Sequence, residues 1–187
     1  MENTALLVID LQEAMRAERD AGFPWANPQA PQRAGRILAA VRAAGPHVVD
    51  VHHTTSDPAD GFHPANPLSA AMPEVAPLAA EPVVIKTGSS GLIGTGLGAV
   101  LRTEGIGALE TVGNEANMCV EATARMAGHP GFKSAVVADA LVNFQRILRD
   151  GRVAPPQTVL EMPPANLTSF TRIRDSAAFL AQVAARP

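Results

Sequence analysis

Cysteine is nearly absent from this sequence, since Cys119 is the only one among 187 residues. A lone cysteine cannot close an internal disulfide, which favours a reducing compartment. Tyrosine is missing altogether, and aromatic residues make up only 4% of the chain. Surfaces that stack nucleic-acid bases depend on aromatic side chains, so this composition argues against such a surface.

A strong excess of one charge and long apolar runs are also lacking. The net charge is -3 and the isoelectric point about 5.9, so neither nucleic acid nor a membrane is expected as a partner. No apolar run could cross a bilayer, and the start MENTALLVID lacks the basic residues and long apolar core of a signal peptide. We therefore expect a cytoplasmic protein whose residues 1–187 form one domain, with 47% hydrophobic residues for its core.

Apolar runs alternate with segments of helical periodicity along the chain. The predicted strands are residues 4–9, 47–52, 82–86, 108–112, 133–138 and 170–173. The predicted helices are residues 29–44, stopped by Gly45-Pro46, then 94–104, a segment around Cys119, 155–167 with Pro163-Pro164 damaging its middle, and 175–185 capped by Asp175. This alternation predicts a three-layer α/β/α fold with a mostly parallel, doubly wound sheet. The polar segment 54–77 is predicted to be a long surface loop, a length that is often functional.

Three residues of complementary chemistry fall at the predicted carboxyl ends of strands, where such sheets bind ligands. Asp10 ends the first strand, Lys86 ends the third, and Cys119 follows the fourth. A thiolate can attack an acyl carbon, a carboxylate can carry the thiol proton, and an ammonium can stabilise both anions. Taken singly, each residue has a plainer interpretation: a small buried hydrophobe, a helix cap and a surface lysine.

Four motifs in order give the sequence its likeness to a known family: ALLVIDLQ, VVIKTGSSGLIGTGLGAVLRTEGI, VGNEANMCVEATARMA and GFKSAVVADA. The chain resembles the isochorismatase-like cysteine hydrolases, the family of nicotinamidases, carbamoyl-sarcosine amidohydrolases and isochorismatases. The resemblance runs through nearly the whole chain. It implies a catalytic triad of Asp10, Lys86 and Cys119, a cis peptide between Asn114 and Glu115, and an oxyanion hole made by the amides of Glu115 and Cys119.

The resemblance implies hydrolysis of a small amide, imide or carbamoyl compound through a thioester at Cys119. Two alternatives stay open, namely vinyl-ether hydrolysis of the isochorismatase type and a non-catalytic protein that binds a small molecule. Together with an apolar C-terminal third, the resemblance also implies a homo-oligomer, either a dimer or a tetramer. Lys86 and a helix N-terminus would place Cys119 in a positive electrostatic field. We therefore expect Cys119 to be a thiolate with a lowered pKa.

No metal or cofactor is predicted. The metal loop of nicotinamidases has the form Asp-x-His-Pro-x-x-His, and here Gly61 and Pro67 replace two of its ligands around His63-Pro64. Residues 88–98 follow a strand and open a helix, but they lack the phosphate-binding and dinucleotide-binding patterns.

The substrate pocket is expected to involve side chains close to the predicted strand ends. The candidates for its lining are Gln12, His52, His53 and Leu92. The two histidines are adjacent and therefore point to opposite faces of their strand. Ala116 replaces a common Thr of the family, and Gly91-Leu92 replaces a common Ala-Phe, so the substrate is left open more than the triad is.

Overall fold

Every apolar run predicted to be a strand lies in one sheet of the computed structural model, which describes residues 3–45 and 47–185. In chain order the elements are β1 (Asn3–Ile9), α1 (Glu13–Asp20), β2 (Trp25–Ala26), α2 (Ala30–Ala44), β3 (His47–His53), β4 (Val83–Lys86), α3 (Leu97–Thr103), β5 (Ile106–Gly113), α4 (Glu121–Ala127), β6 (Lys133–Leu141), β7 (Asn143–Phe144), β8 (Arg146–Ile147), β9 (Val153–Ala154), α5 (Pro156–Leu167), β10 (Arg172–Arg174) and α6 (Ser176–Ala184).

The central sheet has six strands in the order β10-β6-β5-β1-β3-β4, and each neighbouring pair is parallel. The chain moves outward from β1 through β3 to β4, then returns to place β5 on the other side of β1. The strand order therefore reverses between β1 and β5, and a crevice opens at their carboxyl ends. The predicted α/β class and doubly wound sheet are confirmed.

Two cores cover the two faces of this sheet. Leu6 and Val8 of β1 pack in one core with α2 and α6, which contribute Ile37 and Phe179 among others. The alternate residues of β1, of which Leu7 is the central one, pack in the other core with α3, α4 and α5. A continuous apolar strand such as β1 is what a sheet buried on both faces requires.

Helix α1 is the main element that the sequence did not predict. Its sequence EAMRAERD buries only Ala14 and Met15, so it has no apolar stripe of several turns that would indicate a helix. Helix α5 also differs from the prediction, because it continues through Pro163-Pro164. Pro163 is itself buried in the packed face with Val159, Leu160 and Leu167, and this packing outweighs the lost backbone hydrogen bond.

The helix ends agree with their predicted signals. Gly45 ends α2 with a left-handed φ of 81°, whereas Pro46 lies outside the described residues. Asp175 caps α6 by accepting a hydrogen bond from the Ala178 amide. Within the described part of the chain, no helix is long and apolar enough to span a membrane.

Candidate active site

Asp10, Lys86 and Cys119 meet at the carboxyl edge of the sheet. Lys86 Nζ lies 2.7 Å from Asp10 Oδ2 and 3.2 Å from Cys119 Sγ. Asp10 and Lys86 are buried, while Cys119 is partly exposed. The structure therefore brings together the three residues that the sequence singled out, with the lysine between the two acids.

The backbone at the ends of β1 and β5 makes this meeting possible. Asp10 has a left-handed φ of 51° and its amide donates to Val51 O at 2.8 Å, so the carboxylate turns out of the strand direction. Gly113 has a φ of 145°, and a Cβ there would lie 2.2 Å from Ile9 O. Only glycine can occupy this position, where the Asn114 amide also donates to Ile9 O.

Cys119 lies in a π-helical turn, Ala116–Val120, that leads directly into α4. The peptide bond before this turn, Asn114–Glu115, is cis. The Ala116 amide donates to Val142 O at 2.9 Å, and the Asn117 amide donates to Asn143 Oδ1 at 3.0 Å. The segment that follows β6 therefore holds the backbone of the turn that carries the thiol.

The expected low pKa of Cys119 is wrong for this arrangement. Burial and then the Asp10 carboxylate raise the pKa of Cys119 to about 12, although Lys86 acts in the opposite direction. Burial also raises the pKa of Asp10, against the attraction of Lys86. The sequence correctly suggested the cation but could not show how fully the site is withdrawn from water. The resting thiol therefore carries its proton and has a carboxylate beside it to receive that proton.

A cavity of about 330 Å³ opens above the thiol. Its lining combines charged side chains with apolar ones: Asp10, Met15, Glu18, His53, Asp60, Phe62, Thr87, Gly88, Ser89, Glu115, Met118, Cys119 and Arg146. Burial, and then the charge of Lys86, lower the pKa of His53, which favours the neutral imidazole. The cavity is large enough for a small molecule and too small for a folded partner.

Of the four residues predicted to line the pocket, only His53 does so. Gln12 is buried behind it, where its Oε1 accepts from the His53 amide and its Nε2 donates to Ser69 O at 2.7 Å. It fixes the end of β3 and the following loop rather than meeting the cavity. His52 faces away, with Nε2 3.9 Å from Asp50 Oδ1, and Leu92 packs against the core.

Sequence reasoning missed Glu18, Asp60 and Arg146 in the cavity wall. Glu18 is on the unpredicted α1, and Asp60 is within the long loop, whose length was the only signal. Arg146 forms an ion pair with the Glu115 carboxylate, beside the cis peptide. Because these three residues are brought in by separate connections, no local spacing in the sequence relates them to Cys119.

Metal ligands are not grouped in this part of the molecule. Across residues 3–45 and 47–185, no three His, Cys, Asp or Glu side chains are placed to hold one ion. His63 instead accepts a hydrogen bond from the Ala65 amide through Nδ1, at 3.2 Å. The histidine of the His63-Pro64 sequence therefore has a local role within its loop.

Comparison with known proteins agrees with this fold and identifies a family. The model of the isochorismatase domain matches residues 4–150. The isochorismatase family protein YddQ of Bacillus subtilis is 31% identical over 180 residues, covering 95% of this chain and 98% of its own. Streptothricin hydrolase of Streptomyces noursei is 37% identical over 142 residues, which are 75% of this chain but only 50% of that enzyme.

Solved structures show the same relationship. An isochorismatase-family hydrolase from Chromobacterium violaceum superimposes with a TM-score of 0.92 at 34% identity, covering 98% of this chain and 95% of its own. Family model, relatives and structure agree on one assignment. The chain therefore belongs to the isochorismatase family of hydrolases.

Proposed function

We propose that this hydrolase cleaves the C–N bond of a small amide, imide or carbamoyl compound through a thioester at Cys119. The observation that carries the proposal is the placement of Lys86 Nζ, 3.2 Å from the thiol sulfur and 2.7 Å from a carboxylate oxygen of Asp10. Asp10 and Cys119 line a cavity that fits a small molecule, and the Lys86 side chain is buried beside them. A nucleophile, a proton acceptor and a cation are the set that acyl transfer to sulfur requires.

In the first half of the reaction, Asp10 takes the thiol proton as sulfur attacks the carbonyl carbon. A pKa of about 12 makes this transfer necessary, because the free thiolate is scarce at neutral pH. Lys86 stabilises the sulfur anion as it forms. The backbone amides of Glu115 and Cys119 donate to the oxyanion of the tetrahedral intermediate, in the role that the family resemblance gives them.

In the second half, the intermediate collapses and the C–N bond breaks. Protonated Asp10 gives its proton to the leaving nitrogen, so the amine departs neutral and the acyl group remains on sulfur. Asp10 then accepts a proton from a water molecule that attacks the thioester. Release of the carboxylic acid returns the proton to Cys119, so atoms and charge balance over the cycle.

The test is a panel of small amides, ureas and imides, with streptothricin included because one relative is named for it. Ammonia or amine release is measured, and acid-quenched enzyme is examined by mass spectrometry for an acyl adduct on Cys119. We expect turnover and an adduct in the native protein, and neither in Cys119→Ala. Full turnover in Cys119→Ala would indicate vinyl-ether hydrolysis or another reaction without the thiol. Binding without turnover in the native protein would indicate a non-catalytic member of the fold.

We further propose that the reaction needs no metal or other cofactor. The supporting observation is that Asp10 and Lys86 already supply the proton carrier and the positive charge that a metal would otherwise provide. Activity should survive dialysis against a strong chelator. A loss that zinc, iron or manganese reverses would show that a metal takes part.

A homo-oligomer, either a dimer or a tetramer, is also proposed. In its support, large apolar side chains are exposed at the β4 edge and beyond it, among them Ile85 and Ile93. Side chains of this kind are commonly covered when subunits associate. Light scattering over a range of concentrations should give a multiple of 19.5 kDa, and a constant monomer mass would disprove association.

A further inference from the structure

Most charges around the catalytic cavity are paired. The Lys86 ammonium contacts the Asp10 carboxylate at 2.7 Å, and Arg146 contacts the Glu115 carboxylate. The pKa of His53 is lowered and the pKa of Cys119 is raised, so both side chains are neutral near pH 7. Two pairs and two neutral groups therefore contribute little net charge to the cavity.

Glu18 and Asp60 are left over from this pairing. Glu18 comes from α1 and Asp60 from the long loop, and both reach the wall of the cavity that Cys119 lines. The described residues offer no ion-pair partner within contact of either carboxylate. Asp60 Oδ1 accepts from the Phe62 amide at 2.8 Å, which fixes the carboxylate in place without neutralising it.

The two carboxylates are close enough to affect each other. The pKa of Glu18 is raised by desolvation and then by repulsion from Asp60, against a smaller attraction from Arg146. Both residues line one cavity of about 330 Å³, whose dimensions are comparable to one Debye length, ~10 Å at 0.1 M salt. Glu18 and Asp60 are both exposed, and the cavity that they line is also lined by the thiol and by the buried Asp10.

We propose that Glu18 and Asp60 select substrates with a positively charged group, an ammonium or a guanidinium, close to the bond that Cys119 attacks. A cation placed between these carboxylates would relieve their repulsion and bring the acyl carbon to the sulfur. An anionic substrate of the same size would meet two negative charges that no ion pair neutralises. This inference rests on the proposed function, because it assumes that the cavity receives the substrate of Cys119.

The electrostatic potential at the thiol can be measured without any substrate, because Cys119 is the only cysteine. Alkyl methanethiosulfonates transfer their thioalkyl group to the thiolate, forming a mixed disulfide and releasing methanesulfinate. The probes are the cationic trimethylammonioethyl reagent and the anionic sulfonatoethyl reagent. Both reagents react with the same thiolate, so the thiol pKa affects both rates equally. The ratio of the two rates therefore reports the sign of the electrostatic potential near the thiol.

The variant is Glu18→Gln/Asp60→Asn, in which the asparagine keeps the Oδ1 acceptor for the Phe62 amide. The rate ratio of cationic to anionic reagent should fall about tenfold relative to the native protein, and the difference should shrink in 1 M salt. The matched control, Glu104→Gln/Glu161→Gln, removes two exposed carboxylates outside the cavity and should leave the ratio within about twofold. An unchanged ratio in the first variant would overturn the proposal.

A second arm uses paired amides that differ only in a trimethylammonium group or its neutral tert-butyl analogue. The native enzyme should prefer the cationic amide in kcat/KM by about tenfold or more. The Glu18→Gln/Asp60→Asn variant should lose that preference, whereas the Glu104→Gln/Glu161→Gln control should keep it. Turnover without preference would refute charge selection and leave the proposed hydrolysis standing. No turnover of any amide, together with the expected reagent ratio, would refute the proposed hydrolysis and leave a cation-selective cavity.

Discussion

Two cavities of similar size lie at opposite edges of the same sheet. The one at the carboxyl edge has about 330 Å³ and is lined by Cys119. The one at the amino edge has about 370 Å³ and is lined by the starts of β1 and β6, by Glu110 and by Arg174. There, Arg174 Nη2 contacts Glu110 Oε1 at 3.4 Å, with both side chains largely buried.

The difference shows that volume does not identify a functional site. At the amino edge, charged side chains sit on regular strands and join β5 to β10 by an ion pair. At the carboxyl edge, a left-handed Asp10 and the turn after Gly113 aim side chains out of the strands. Arg174 at the amino edge connects strands through its ion pair, whereas Lys86 at the carboxyl edge lies between a thiol and a carboxylate.

The same type of substitution at each edge should separate these roles, with the largest effect on activity at Lys86. Lys86→Met should lower kcat by about 10²–10³, the usual effect of losing one stabilising group at an anionic transition state. Arg174→Met should keep kcat within about twofold but lower the free energy of unfolding by about 2 kcal/mol, because Glu110 loses a partner in a largely buried site. Steady-state kinetics measure kcat of the two variants, and urea unfolding measures their free energy of unfolding. An inactive but normally stable Arg174→Met would mean that the amino-edge cavity takes part in catalysis.

A smaller effect is expected on the reactivity of the thiol itself. With a pKa of about 12, the rate of iodoacetamide alkylation of native Cys119 should still be rising between about pH 9 and pH 11, well above the ordinary cysteine pKa of about 8.5. Because Asp10 raises this pKa and Lys86 lowers it, Asp10→Asn should speed alkylation at pH 8 and Lys86→Met should slow it, each by about tenfold. Mass spectrometry follows the single adduct. A plateau in the native protein below pH 8.5 would restore the low-pKa thiolate expected from the sequence.

The sequence predicted most of the frame of this molecule because that frame depends on local patterns. Continuous apolar runs identified the six strands of the sheet, and strand ends identified Asp10, Lys86 and Cys119 as neighbours. What it could not predict depends on contacts between distant segments. The position of Gln12 in the sequence suggested a pocket residue, yet its side-chain amide forms hydrogen bonds with the backbone of His53 and Ser69 instead.

The error in the pKa of Cys119 has the same origin. A cation and a helix start are visible in the sequence, whereas burial of the thiol depends on how α4, α5 and the segment after β6 close around it. Glu18 and Asp60 were missed for a related reason, since two charged residues in a helix and a loop look like ordinary surface until the fold places them at one cavity. The long loop at 54–77 is also less superficial than predicted, because Met72 and Val75 are fully buried.

The smallest expected effect is on the free energy of unfolding, and it distinguishes two buried acids, Asp50 and Asp10. Asp50 lies within β3, and burial raises its pKa against the attraction of the nearby His52. His52 Nε2, at 3.9 Å, is beyond hydrogen-bond reach. An acid with a raised folded-state pKa favours folding most below its unfolded pKa of 3.8 and loses that contribution as pH rises through the folded pKa. Asn cannot ionise, so Asp50→Asn should gain stability relative to the native protein between pH 4 and pH 7, by about 1 kcal/mol.

Asp10→Asn is the matched control, because it takes the carboxylate from a buried Lys86 and should instead lose about 2 kcal/mol at pH 7. Urea unfolding at both pH values measures the two differences. If Asp50→Asn is less stable at pH 7 by the same margin as Asp10→Asn, His52 at 3.9 Å stabilises the Asp50 carboxylate as much as Lys86 stabilises that of Asp10, and the contrast between these two buried acids is wrong.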